Sequence, residues 1–102
     1  MENQSIESIN LELHIQNTRS IYTEHILPVV KNLVKYYKKD IYTKDKALKD
    51  WFCVVNAGAK DYQREFGSIA TKWSDVFSLS DRKQTAEILC DSYYAEIKLG
   101  NY

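Results

Sequence analysis

The sequence predicts an all-α protein, a compact bundle of four or five helices formed by a single domain over residues 1–102. Turn-forming residues are scarce, with one proline and three glycines in 102 residues, so the elements must be long and their connections short. Apolar residues recur at steps of three and four along most of the chain, which is the period of a helix face. A chain of this length can fold as one domain without a disulfide or a metal.

The first helix is predicted to span residues 5–39 and to be kinked or broken near Pro28. Pro28 lacks a backbone donor and crowds the carbonyl of Glu24, so the disturbance should fall at residues 24–28. Residues 9–15 also alternate apolar and polar side chains with the period of a strand. We favour helix there because no second segment offers such a strand a partner. The predicted stripe comprises Ile6, Ile9, Leu11, Leu13, Ile15, Thr18, Tyr22, Ile26, Val29, Leu33 and Tyr37.

The second helix should begin near Thr43 and end at Gly67, where glycine would adopt the left-handed conformation common after a last helical turn. Gly58 lies between two alanines in its middle, where glycine costs about 1 kcal/mol relative to alanine. Small side chains at that point predict a close crossing with a neighbouring helix. The spacing predicts a buried stripe of Leu48, Trp51, Phe52, Val55, Ala59, Tyr62 and Phe66.

Two more helices are predicted after Gly67. A short third helix over residues 68–77 should turn four side chains inward: Ile69, Trp73, Val76 and Phe77. Ser80 or Asp81 should cap a fourth helix that runs to Leu99, with Gly100 beyond its end. The buried stripe of this helix is expected to contain Ala86, Leu89 or Cys90, Tyr93 and Ile97. Among the core residues, we expect Trp51, Phe52, Trp73 and Leu89 to be largely buried.

No catalytic or metal-binding pattern is recognisable, which predicts a protein that is not an enzyme and uses no cofactor or metal. The chain has neither a glycine-rich phosphate loop nor a nucleophile elbow. His14 and His25 share a helix face but lie about 16 Å apart along it, too far to hold one ion together. Both are expected in solvent or at the edge of the core. Cys53 and Cys90 are expected to behave as small buried apolar residues.

The composition also bears on location and origin. The sequence shows no signal peptide, no membrane-spanning apolar run and no secreted disulfide framework. We therefore expect a cytoplasmic protein without a membrane partner. Lys, Ile, Tyr and Asn make up 34 residues, and their AT-rich codons are common in phage and mobile-element genes, as they are in many ordinary genomes.

Residues 31–49 form a basic and aromatic segment. It holds seven lysines against two aspartates, a local charge of +5, so the rest of this neutral chain carries −5. Tyrosines between phosphate-pairing lysines can hold single-stranded nucleic acid. We favour a simpler origin, in which lysines gather at a helix C-terminus and tyrosines cover the core. The lysines are the seven cations at positions Lys31, Lys35, Lys38, Lys39, Lys44, Lys46 and Lys49.

Such a basic segment could also dock onto an acidic protein or onto a second copy of this chain. In the pairs Tyr36-Tyr37 and Tyr93-Tyr94, neighbouring side chains point about 100° apart, so both members cannot face the core. Exposed tyrosine is frequent at protein–protein contacts. The predicted partner-binding residues are Lys35, Tyr36, Lys38, Lys39, Tyr42, Lys46 and Tyr94.

Residues 61–77 loosely resemble DNA-binding helix-turn-helix proteins. The resemblance rests on an apolar pair, a glycine turn and a small-residue helix start: Tyr62, Phe66, Gly67, Ser68, Ala70 and Thr71. It implies that the predicted third helix, over residues 68–77, would be the one that reads DNA. Gln63 stands where the motif has a small residue, and Ser68 stands where an apolar one follows the glycine. The reading helix would offer Lys72 as its only cation and would carry Asp75, which phosphate repels.

By elimination, the sequence predicts a non-enzymatic interaction protein that binds and inhibits or modulates another macromolecular complex, as phage and mobile-element inhibitors do. The alternative is a nucleic-acid-binding regulator that uses residues 31–49 or 61–77. A protein is favoured as partner over nucleic acid, and association of the chain with itself stays open.

Overall fold

Five helices make up the structure, a computed structural model that describes residues 4–67 and 72–102. They are α1 (Ile6–Asn17), α2 (Arg19–Ile21, a π-helical turn Tyr22–Ile26, and Leu27–Lys38), α3 (Lys44–Phe66), α4 (Trp73–Val76) and α5 (Leu79–Lys98). The predicted all-α bundle is confirmed. Residues 9–15 lie within α1, so the strand alternative for them is wrong.

The predicted interruption before Pro28 is present as a π-helical turn. The N–H of Leu27 donates to the carbonyl of Tyr22, five residues back. The wider turn makes room where an α-helix would press the proline ring against the preceding carbonyls. A second break, at Thr18, was not predicted. The backbone of Thr18 is extended, and its hydroxyl donates to the carbonyl of His14 at 2.6 Å.

Polar side chains join the start of α1 to α5. Ser5 accepts from the N–H of Ser8 and so caps α1, while its hydroxyl donates to Asp81 Oδ1 at 2.8 Å. One turn further, the buried hydroxyls of Ser8 and Thr85 lie 2.7 Å apart. Because buried hydroxyls are costly when unpaired, these bonds fix one register between the two helices.

The start of α5 differs from the prediction by two to three residues. Ser78, and not Ser80 or Asp81, is the N-cap. Its hydroxyl oxygen accepts from the N–H of Asp81, and the Asp81 carboxylate accepts from the N–H of Ser78. This reciprocal pair is a capping box, in which the acidic residue takes the third helical position. Asp81 therefore completes the cap of α5 and also accepts from Ser5, the N-cap of α1.

Within residues 4–67 and 72–102, two helix ends carry a left-handed residue, and Gly67 is not one of them. Gly67 follows α3 with an extended backbone, φ −88°, so the predicted left-handed conformation there is wrong. Asp40 after α2 (φ 59°) and Gly100 after α5 (φ 78°) adopt it instead. In α2 the N–H of Ile41 donates to the carbonyl of Tyr36 at 2.9 Å, the bond that closes a Schellman motif.

The core lies between α1, α2, α3 and α5. Gly58 gives the predicted close approach, because a Cβ there would clash with Cγ1 of Ile15 on α1. The absent side chain lets Ile15 reach the backbone of α3. The largest fully buried side chains include Trp51, Phe77, Leu11, Ile15, Ile26, Leu33 and Leu89. Among the residues that the structure describes, no helix has the length and apolar character needed to cross a membrane.

Burial is narrower than the sequence pattern suggests. Exposed residues that we expected in the core are Ile6, Ile9, Leu13, Tyr37, Cys53 and Phe66. On α1 only the side that meets α3 and α5 is covered, so Ile6, Ile9 and Leu13 face solvent. Phe52 and Trp73 are half-buried rather than buried, whereas Trp51 and Leu89 are fully buried as predicted. Ile69 lies outside the described residues.

Candidate functional site

Three tyrosines from two separate parts of the chain form an aromatic cluster. Tyr42 stacks on Tyr94 of α5 with ring centroids 4.6 Å apart and planes 20° apart. Tyr37, at the end of α2, meets Tyr94 edge-on at 6.0 Å. The left-handed residue Asp40 reverses the chain after α2, and this reversal lets Tyr42 return to α5.

The Tyr42 hydroxyl of this cluster faces the thiol of Cys90. Burial raises the pKa of the Tyr42 hydroxyl, and its hydrogen bond with Cys90 raises it further. That hydroxyl lies 3.7 Å from Cys90 Sγ, and burial also raises the pKa of the Cys90 thiol. Both groups are therefore protonated at neutral pH. The cation near the ring is Lys98, whose Nζ lies 5.1 Å from the centroid of Tyr94.

The lysines of residues 31–49 are largely free of acidic partners. Lys44 pairs with Asp91 at 3.4 Å, and both side chains are exposed. Across residues 4–67 and 72–102, the other six lysines of this segment form no ion pair. Their charge therefore stays available to a partner. We use the name tyrosine–lysine surface for the three tyrosines of the cluster, Lys98 beside them, and four exposed lysines of the segment that carries Tyr37 and Tyr42, namely Lys35, Lys38, Lys39 and Lys46.

The structure brings together part of the predicted partner-binding set. Tyr42 and Tyr94 are in contact, whereas the exposed Tyr36 makes no ring contact with either of them within the described part of the chain. Lys35 and Lys38 border a groove of about 440 Å³. Its other lining residues are Leu27, Val30, Lys31, Val34 and Tyr102. Lys39, which lies between Tyr37 and Tyr42 in the sequence, and Lys46, which follows Tyr42, are both exposed. Tyr37 and Lys98 belong to the tyrosine–lysine surface but are absent from the predicted partner-binding set.

The segment that resembles a helix-turn-helix is described only in part. Helix α3 ends at Phe66, α4 covers Trp73–Val76, and residues 68–71 lie outside the described chain. Trp73 lies against two cations, with Arg82 Cζ at 4.8 Å and Lys60 Nζ at 5.5 Å from its ring centroid. This ring is thus engaged by the protein itself.

A second cluster surrounds His14. Its Nε2 lies 2.8 Å from Asp61 Oδ2, and Glu65 follows one turn after Asp61 on α3. Ligand atoms of these three residues all lie within 4.8 Å of one another. No carboxylate set beside the histidines is recognisable in the sequence because His14 and Asp61 are 47 positions apart. The placement of His14 at the edge of the core is as expected, with 8% of its side chain exposed.

Comparison with known proteins finds no matching family model, no similar curated protein and no similar solved structure.

Proposed function

We propose that this chain is a non-enzymatic interaction protein that binds another protein through the tyrosine–lysine surface and so inhibits or modulates the partner's complex. The observation that carries the proposal is the aromatic cluster Tyr37–Tyr42–Tyr94, which has Lys98 beside it and belongs in part to a segment whose lysines, except Lys44, form no ion pair among the described residues. Tyrosine provides a large, rigid contact area with a small entropy cost, which suits the centre of an interface. The lysines at the rim would speed association with an acidic partner.

The expected partner is a protein with an acidic surface. Residues 31–49 carry a charge of +5 in a chain with no net charge. This local positive charge would attract an acidic partner to the surface and repel a basic one. The cytoplasm as the site of action, and a phage or mobile-element origin, belong to the same proposal. They rest on composition alone.

Stacking inside the cluster favours a protein partner over nucleic acid. A base needs an open ring face, yet Tyr42, Tyr37 and Lys98 all lie against Tyr94. The exposed parts of Tyr37 and Tyr94 remain for a protein surface to contact. Lysine in place of arginine also lowers the specificity for phosphate.

Affinity capture with matched variants tests this proposal. Tagged protein is incubated in lysate of the source cells, and captured proteins are quantified by mass spectrometry. We expect one acidic protein to be enriched with the wild type and lost with Lys35→Glu/Lys39→Glu. The control Lys72→Glu/Lys83→Glu makes the same charge change at exposed lysines outside the surface and should retain it. Equal capture by both double variants would contradict the proposal.

A second candidate function, binding of single-stranded nucleic acid, is favoured by the six lysines without ion pairs. Five net charges would give a log–log salt slope of roughly −3 to −5. Fluorescence anisotropy with labelled single- and double-stranded oligonucleotides measures this. We expect only weak binding at about 150 mM salt, well below the affinity of specific complexes. Sub-micromolar binding that Lys35→Glu/Lys39→Glu abolishes would replace the protein partner with nucleic acid.

A further inference from the structure

We propose that His14, Asp61 and Glu65 form a binding site for one zinc ion, which would join α1 to α3. One imidazole nitrogen and two carboxylate oxygens are ligands that zinc accepts, at about 2.0–2.2 Å from the ion. Ligands at that distance in a tetrahedral site lie roughly 3.3–3.5 Å from each other. The ligand atoms here, all within 4.8 Å of one another, need only small side-chain rotations to reach this arrangement.

The histidine is held in place before any ion arrives. Tyr62 and Phe66 meet its ring edge-on, with centroids 5.3 and 5.8 Å away. Its side chain is 8% exposed, so its orientation is fixed by packing rather than by solvent. Nε2 already points at Asp61 Oδ2, and a metal ion would take the position of the shared proton.

The two carboxylates of this site differ in exposure, with Asp61 largely buried and Glu65 exposed. Asp61 and Glu65 are four residues apart and therefore lie on the same face of α3. Asp61 is 16% exposed, and its other oxygen, Oδ1, is bonded by the guanidinium of Arg64. Such an outer contact orients a ligating carboxylate. Glu65 is exposed, so it is free to rotate onto the ion, and solvent can supply a fourth ligand.

Zinc titration of the full chain by isothermal calorimetry tests the site. Cys53→Ser serves as the background, because Cys53 is an exposed thiol and thiolates bind zinc. After treatment with a chelator and its removal, we expect one zinc per chain and a higher melting temperature with zinc. Glu65→Gln should weaken zinc binding at least about tenfold, and since Glu65 is exposed this variant should remain folded. His14→Ala should weaken it further.

His25→Ala is the matched control, because His25 lies on the π-helical turn of α2 and is not part of the group. Its zinc affinity should match that of the background protein. A titration without saturable one-to-one binding would overturn the proposal. An equal loss of affinity in Glu65→Gln and His25→Ala would overturn it as well, because zinc would then be held by scattered surface groups.

Discussion

Trp51 and Trp73 occupy different environments in the bundle. Trp51 is fully buried, and its ring stacks on Tyr93 at 4.8 Å with planes 22° apart. Trp73 is half-buried, and Arg82 lies against its ring. Helical periodicity identifies the inward face of each helix, but the depth of burial depends on which helices cover that face. A one-turn helix such as α4 has few neighbours to do so.

Alanine substitution should separate the two tryptophans. Trp51→Ala should lower the free energy of unfolding by about 3–5 kcal/mol, the cost of deleting a buried aromatic ring. Trp73→Ala should cost about 1–2 kcal/mol, because it loses partial burial and cation–π contacts. Urea unfolding followed by far-UV circular dichroism measures both values. A cost for Trp73→Ala as large as for Trp51→Ala would mean that Trp73 belongs to the core.

Adjacent tyrosines on α5 diverge as their 100° separation requires. The ring of Tyr93 stacks on Trp51, and its centroid lies 5.9 Å from that of Tyr102, while the ring of Tyr94 stacks on Tyr42. The sequence alone predicts that one member of the pair is left for the surface. It does not identify Tyr42 and Tyr37 as the neighbours, since these come from another part of the chain.

Helix ends are the elements on which the sequence prediction failed most often. Asp40 adopts a left-handed conformation without being glycine, because a short polar side chain tolerates it. The extended backbone of Thr18 ends α1, although threonine also occurs inside helices, as Thr85 does in α5. Several residues near α5 can cap a helix, and Ser78 becomes the cap because Asp81 completes the box. The residue at which a helix begins or ends depends on such local contacts, and the spacing of apolar residues does not report them.

Asp81 should be the most costly capping residue to lose. Asp81→Ala removes the acceptor for Ser5 and for the N–H of Ser78, and we expect a loss of about 1–2 kcal/mol at pH 7. Glu87→Ala, an exposed carboxylate in the middle of α5, is the control and should change stability by less than about 0.5 kcal/mol. Equal stability of the two variants would contradict the assigned role.

The same residue predicts a pH dependence. Burial alone would raise the pKa of Asp81, but hydrogen bonds from Ser5 and Ser78 outweigh it and lower the pKa. A carboxylate whose pKa is lower in the folded state stabilises the fold above the unfolded value of about 3.9 and loses this effect as the pH falls. The stability difference between wild type and Asp81→Ala should therefore shrink below about pH 4. A difference that is constant from pH 7 to pH 3 would contradict this.

At the scale of the whole molecule, the sequence predicts the fold class because a period near 3.6 and few turn residues leave little other than helices. It predicts the candidate sites less well. The cluster around Tyr94 and the group around His14 both unite residues that are distant along the chain. Their assembly follows from the packing of α5 against the end of α2, and of α1 against α3, which local spacing does not encode.

The central claim, that the tyrosine–lysine surface binds a protein, is tested most directly by the affinity of the purified complex. Biolayer interferometry with the captured acidic partner compares the wild type, Tyr94→Ala and Lys72→Glu/Lys83→Glu. We predict a Kd at least about tenfold higher for Tyr94→Ala, as for a residue at the centre of an interface. The control should stay within about twofold, the range of near-neutral contacts. An unchanged Kd for the folded Tyr94→Ala protein would contradict the account.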